Sequence, residues 1–389
     1  MTRGHFWKMP PGAMPRSTPR TLTLAALGAL LACTVVVTVA ARASPESHSP
    51  ARSTWAEVST VVGWARFDAG WYAHIATEGY SYTPGVQSPV AFFPAYPLAI
   101  RGLRALGVDT FLAGVLLTAC CGLLALSLFA HWARTRADED AARDAGLLLI
   151  FYPFAFYLYG AMYADAFALV LVVGAFLLLE RGQLGPAVLL AAVASAARPV
   201  APALVLGLLV RRLEWKRERA ERWSLVDALP LLAGVGLVLW MLYLWRAFGE
   251  PMAFTKVQSA PGWDQAPGWR TWLKLRWFQG FSASMSLADA LRLLGHAAVA
   301  LGALALMWPT CRRLGWGYGA YTAAVVGLPT LSSKDFMGMG RYLLAAFPLF
   351  LTLALLLRER PRLRLGLLAT SALLLLSLTA AYGAGVYVS

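Results

Sequence analysis

The chain has 389 residues, 59% of them hydrophobic and only 14% charged, where a soluble protein carries roughly 25% charged residues. Its formal net charge of +14 would suggest nucleic acid in a soluble chain, but most Lys and Arg here sit at the ends of apolar runs, where they set orientation in a membrane. A single oversized soluble core is excluded. The Leu/Ala/Val-rich runs of about 20 residues do not alternate as barrel strands would, so the class is an all-α polytopic membrane protein.

A basic segment (Arg3, Lys8, Arg16, Arg20) over 1–21 reads as a cytoplasmic tail before an apolar run from Leu22 to Ala40. Ala41-Arg42-Ala43 resembles a signal-peptidase site, but the run exceeds the usual apolar core of about 7–15 residues and is long enough to span. Residues 42–108 form a weakly apolar first outer loop. Further apolar runs lie at about 109–133, 146–161, 164–180, 185–210, 225–247, 287–308, 316–331, 341–357 and 365–386.

The Lys/Arg bias places Arg134, Arg136 and Arg143 inside. A single crossing by 185–210 would put the basic segment Arg211–Arg217 outside. That run carries Ala197-Arg198-Pro199 and Pro202 near its middle, so two shorter helices meeting near the outer face at Arg198 are expected, with the irregular backbone lining a cavity. Arg312, Arg313 and the Arg358–Arg364 cluster then fall inside as well. The reading is one domain over 1–389 with about eleven helical segments. Its second outer loop, 248–286, holds Trp263, Trp269, Trp272 and Trp277 among Lys256, Arg270, Lys274 and Arg276. This loop is either an interfacial belt at headgroup depth or a lid or docking surface for a phospholipid headgroup. Cys33, Cys120, Cys121 and Cys311 lie outside the outer loops, with neither a disulfide framework nor metal-ligand spacing. His131 and His296, at or near span ends, read as packing or interface residues.

The chemistry is expected in the first outer loop, between Trp64 and Tyr80. Phe67, Trp71 and Ile75 recur at helical spacing and form an apolar stripe. Asp68 and Tyr72 share an adjoining stripe. A short helix in the interface would bury the aromatics in the headgroup zone and turn Asp68 toward the mouth of the bundle. There the carboxylate can take a proton from a sugar hydroxyl; the plainer reading is a solvated carboxylate paired with Arg66 or His74. Downstream, Pro94 and Pro97 interrupt helix in an aromatic segment that packs on the first.

Phe67-Asp68, His74-Ile75-Ala76, Gly79-Tyr80 and Ala91-Phe92-Phe93-Pro94, Pro97-Leu98 together resemble the first luminal loop of the phosphatidylinositol-glycan class V family, the second mannosyltransferase of GPI-anchor assembly and its bacterial homologues. The similarity continues at Met162-Tyr163-Ala164-Asp165, at Ala197-Arg198-Pro199 and more loosely at Gly340-Arg341-Tyr342. Family members often have Trp-Asp at Phe67-Asp68 and a Glu near Asp165. The resemblance implies a GT-C type membrane glycosyltransferase that uses a polyprenyl- or dolichyl-phosphate sugar, usually mannose. It inverts at the anomeric carbon, with Asp68 as the catalytic acidic residue.

A leaving phosphate needs cationic donors. Arg198, Lys334 and Arg341 are the outer-face candidates, with snorkelling to the interface the competing reading, strongest for Arg341. Asp165 lies in an outer turn close in depth to Asp68, and Tyr72, Tyr163 and Glu78 are supporting residues. His74 can orient Asp68 or a donor phosphate. No nucleotide-binding motif is present. No cofactor is required; a divalent metal, if used, has only Asp68 with Asp165. The expected partners are a lipid-linked sugar donor and a glycolipid, glycan or protein acceptor, with no nucleic acid. Ala/Leu/Arg/Gly-rich usage points to a bacterial plasma membrane with an extracytoplasmic site. A transporter or flippase is the alternative, but it predicts midplane charges and an internal repeat, neither of which the sequence displays; a non-catalytic scaffold is a third reading.

Overall fold

A computed structural model describes residues 17–44, 58–265, 268–281 and 285–388, and all regular structure among them is helical. Most of the proposed tail (1–21) and residues 45–57 of the first outer loop lie outside the described residues.

Helix α1 (Ser17–Ala43) is followed by three helices of the first loop: α2 (Ser59–Trp64), α3 (Ala69–Thr77) and α4 (Ala95–Ala105). Helix α5 (Thr110–Arg136) begins at Asp109, whose carboxylate accepts from the amides of Phe111 and Leu112 at 3.0 and 3.1 Å; it ends on Arg134 and Arg136, as the helix dipole favours. Helix α6 (Glu139–Ile150) stops shortly before Pro153, so the run expected over 146–161 is helical only in its first part and continues as a single 3₁₀ turn, Ala155–Leu158. Helix α7 (Asp165–Glu180) matches its apolar run.

The run 185–210 is broken as expected. Helix α8 (Leu184–Ser195) ends, Arg198 lies in the gap, and α9 (Ala201–Glu218) starts with Pro202 in its first turn. The break frees the carbonyl of Ala196, which accepts from the amide of Ala95 at 2.9 Å. The discontinuity thereby anchors the start of α4.

Next come a 3₁₀ segment, Leu225–Gly234, and α10 (Val235–Phe248). The second loop holds α11 (Ala253–Lys256), α12 (Trp269–Trp272) and α13 (Leu275–Gln279). Helices α14 (Leu287–Leu314) and α15 (Trp316–Ser332) follow. The run expected over 341–357 is divided into α16 (Met339–Tyr342) and α17 (Pro348–Leu357), because Pro348 starts a new helix. Helix α18 (Pro361–Gly383) packs back against α1.

Among the described residues, five stretches are long and apolar enough to cross a membrane: Arg20–Ala43, Thr110–Arg136, Leu225–Phe248, Leu287–Leu314 and Pro361–Gly383. Their outward faces carry exposed leucine and valine, such as Leu24, Leu31 and Val39 on α1 and Leu365 and Leu373 on α18. Apolar residues pointing outward on long helices suit lipid rather than water.

The termini of these helices gather charge at two ends of the bundle. At one end Arg211, 3% exposed, meets Glu180 through two bonds (2.6 and 3.0 Å) and Glu218 at 2.9 Å. Glu180 also accepts from Tyr318 Oη at 2.9 Å, and Arg136 caps Leu314 O at 2.8 Å. Arg358 and Arg364 pair there with Asp138 and Asp144 from the α5–α6 turn and α6. The other end carries the short helices of the first and second loops and the residues described next.

Candidate functional site

Phe67 has a left-handed backbone, φ 52°. A bulky residue rarely holds that conformation, and the surroundings must impose it. Its ring packs edge-on against Tyr382 and Tyr387, with centroids at 5.6 and 5.1 Å. The reversal delivers Asp68 to the N-terminus of α3, where its own amide donates to Tyr163 Oη at 3.2 Å.

The Asp68 carboxylate turns to arginine. Oδ2 lies 3.5 Å from Arg341 Nη1, and the side chain is 24% exposed. Arg66 does not pair with it; Arg66 is buried and donates to Gly383 O at 2.7 Å. Nor does His74, which faces Glu78 at 3.4 Å one turn further along α3. The expectation of a solvated carboxylate is therefore corrected. Burial pushes the Asp68 carboxyl up from its ordinary value, while Arg341, Arg198 and the Tyr163 hydroxyl pull it down. Burial and the nearby Asp68 push the Tyr72 hydroxyl up to about 12.

Asp165, buried at the first residue of α7, forms a close ion pair with Arg198 from the α8–α9 break. Its second oxygen lies 4.0 Å from Arg341 Nε. Arg341 thus stands between two carboxylates. Its guanidinium also lies 4.9 Å from the Tyr163 ring centre, 5.2 Å from Tyr342 and 5.5 Å from Tyr157, within cation–π range. This corrects the snorkelling reading: Arg341 is 9% exposed and held in an aromatic cage. Gly340 makes the approach possible, since a Cβ there would come 2.2 Å from the Phe154 ring. Its carbonyl accepts from Tyr152 Oη at 2.8 Å.

Lys334 is not brought to this cluster. Its Nζ donates to Trp263 O at 3.0 Å and its amide to Gln265 Oε1 at 2.7 Å, so it fastens the second loop to the turn before α16. That loop also touches the first. Trp71 stacks on Phe92 at 5.9 Å, and Trp263 meets both rings at 6.0 and 6.1 Å. Ile75 is buried too. The Phe67–Trp71–Ile75 stripe is therefore engaged by protein rather than by headgroups.

Two clefts flank the exposed edge of α3. One, about 400 Å³, is lined by Phe67, Gly70, Trp71, His74, Ser81, Gln87 and Pro89. The other, about 510 Å³, runs along Gly70, His74, Thr77, Glu78, Arg104 and Asp109. The Asp68 carboxylate lines neither; His74 and Glu78 belong to the clefts rather than to the charged cluster.

Of the tyrosine cage, the sequence reading named Tyr163 as a supporting residue and Tyr342 only within the stretch Gly340-Arg341-Tyr342. Tyr342 adjoins Arg341, which was a usable signal. Tyr157 was hidden inside a run assigned to a span. Among the described residues no group of three His, Cys, Asp or Glu gathers as a metal would require, and Asp68 and Asp165 share Arg341 between them. The arrangement supplies one partly exposed carboxylate beside one buried and one partly buried cation, enough to accept a proton and to stabilise an anion a few ångströms apart. Compared with known proteins, the chain matches no family model and no curated protein.

Proposed function

We propose that the chain is a GT-C type membrane glycosyltransferase with about eleven helical segments in a bacterial plasma membrane. It transfers mannose or a related hexose from a polyprenyl-phosphate sugar, with inversion, to an acceptor at the extracytoplasmic face. The observation that carries this reading is the Asp68–Arg341 contact of 3.5 Å beside the Arg198–Asp165 pair. The basic pole around Arg211, Arg358 and Arg364, placed inside, supports the orientation.

In the proposed step the acceptor hydroxyl gives its proton to Asp68 as its oxygen bonds to the anomeric carbon. The bond from that carbon to the phosphate oxygen breaks, and its electron pair leaves on polyprenyl phosphate. Arg341 and Arg198 stabilise that charge. Tyr163 fixes the Asp68 backbone, and Asp165 keeps Arg198 extended toward the site.

The test is transfer from polyprenyl-phosphate mannose by purified Asp68→Asn, which keeps shape but cannot act as a base. Loss of a general base typically lowers the rate by about 10²–10⁴-fold. Full activity in this variant, at matched thermal stability, would overturn the mechanism and put a transporter ahead.

A further inference from the structure

Along α12 and α13 the usual order of polarity is inverted. Trp269, Trp272, Leu273 and Phe278 are 58%, 59%, 62% and 61% exposed, whereas Lys274 between them is 7% exposed. A lysine is almost never buried unless paired, and bare apolar surface of this extent marks a membrane or a protein partner. The cause is local. Lys274, at the junction of the two helices, has a left-handed backbone, φ 56°, which few residues other than glycine hold. The reversal lets its ammonium donate inward to Ser333 O and lie 5.5 Å from the Phe336 ring centre. Trp269, Trp272 and Leu273, at i, i+3 and i+4, are left on the outward face. Helix α13 is fixed to the opening turns of α14, where Trp277 Nε1 donates to Leu293 O at 3.2 Å. The outward residues of those turns, Leu287, Leu291 and Leu294, are exposed on a helix long and apolar enough to span. The bare face of α12 and α13 thus adjoins the apolar surface of a span.

We propose that α12 and α13 lie in the phospholipid leaflet, at the boundary between headgroups and acyl chains, with Trp269, Trp272, Leu273 and Phe278 among the lipids. This stands apart from the glycosyltransferase reading and needs no transfer of sugar. Water would favour the opposite arrangement, with the ammonium outside and the rings inside. Lipid favours apolar side chains outward and the ammonium against a protein carbonyl. Tryptophan suits this depth because its ring is apolar and its N–H is polar. Arg270, exposed beside the Trp269 ring at 5.5 Å, suits the phosphate level. The first loop has no such face: its Trp71 and Phe92 rings pack on each other and on Trp263. Trp263 joins the two regions, since its carbonyl accepts from Lys334 while its ring meets those of Trp71 and Phe92. The leaflet surface is thereby held beside α3.

The depth is read by fluorescence in phosphatidylcholine nanodiscs. On a background lacking the four native cysteines, bimane is attached to Leu273→Cys or to Phe278→Cys, with Thr83→Cys, exposed in the first loop, as the water reference. Nitroxide carried on lipid acyl chains should quench both second-loop positions. It should act more strongly from the glycerol end of the chain than from the methyl end, because an interfacial element sits about 5–10 Å into the boundary of headgroups and acyl chains. Aqueous iodide should quench Thr83→Cys severalfold more than either. Two reporter positions keep the test decisive if one variant does not fold. Equal iodide quenching at all positions, with no effect of lipid nitroxide, would overturn the proposal. Shielding from iodide without lipid quenching, together with disulfide-linked dimers of Leu273→Cys under oxidation, would also overturn it and assign the face to a second copy of the chain.

Discussion

Arg198 and Arg341 lean on the same ring: their guanidinium carbons lie 5.3 and 5.2 Å from the centre of Tyr342. Two like charges are held close by an aromatic face and by two carboxylates. The sequence suggested that Arg198 would matter more, because Arg341 could reach water. In the structure Arg341 reaches both Asp68 and Asp165, whereas the ion pair of Arg198 is with Asp165, which favours the opposite order.

Arg341→Ala should therefore cost more transfer than Arg198→Ala, and Arg341→Lys should recover only part, because a point charge cannot replace the fork. Steady-state kinetics with varied donor decides this. A larger loss in Arg198→Ala would show that the Asp165 pair, not the bridge, holds the phosphate.

Gly340→Ala should displace Arg341 without touching a charged group. The added methyl would press into the Phe154 ring at 2.2 Å, and overpacking of this sort costs about 1–3 kcal/mol. Thermal stability and transfer should both fall, whereas Gly366→Ala, with nothing within 4 Å of its Cβ, should leave both unchanged. Wild-type activity in Gly340→Ala would mean that this segment tolerates movement.

Trp263→Ala should loosen the second outer loop from the first, since it removes the ring that meets Trp71 and Phe92. Limited proteolysis should cut faster within 260–281 in the variant, with the rest of the chain equally protected. An unchanged cleavage pattern would assign the docking to Lys334 and Gln265 instead.

Orientation is checked by cysteine labelling on a background lacking the four native cysteines. An impermeant reagent should label Thr83→Cys in intact cells and spare Arg222→Cys. Labelling of the second would place the Arg211 end outside and contradict the proposed orientation.

Much of the fold was legible, because apolar runs and prolines act locally. Pro199 and Pro202 announced the break that carries Arg198, and Pro348 shows in retrospect why the last-but-one run is divided. Asp68, Asp165, Arg198 and Arg341 were each singled out as charged residues at outer turns. What the sequence could not show was who meets whom. Lys334 is chemically as able to hold a phosphate as Arg341, yet a neighbouring loop claims it. Trp71 has the pattern of an interfacial aromatic, yet Phe92 and Trp263 cover it. Such outcomes depend on side chains far apart in the chain, which periodicity and spacing do not report.

The contacts between Trp64–Phe67 and the end of α18 have a consequence for biogenesis. Trp64 O accepts from Tyr382 Oη at 3.1 Å, Arg66 donates to Gly383 O, and Phe67 is braced by Tyr382 and Tyr387. A segment made early in translation thus takes its shape from partners 317 and 318 positions further along the chain. Until α18 is threaded into place the nascent chain lacks the contacts that brace the turn before Asp68, even with every charged residue of the cluster already synthesised.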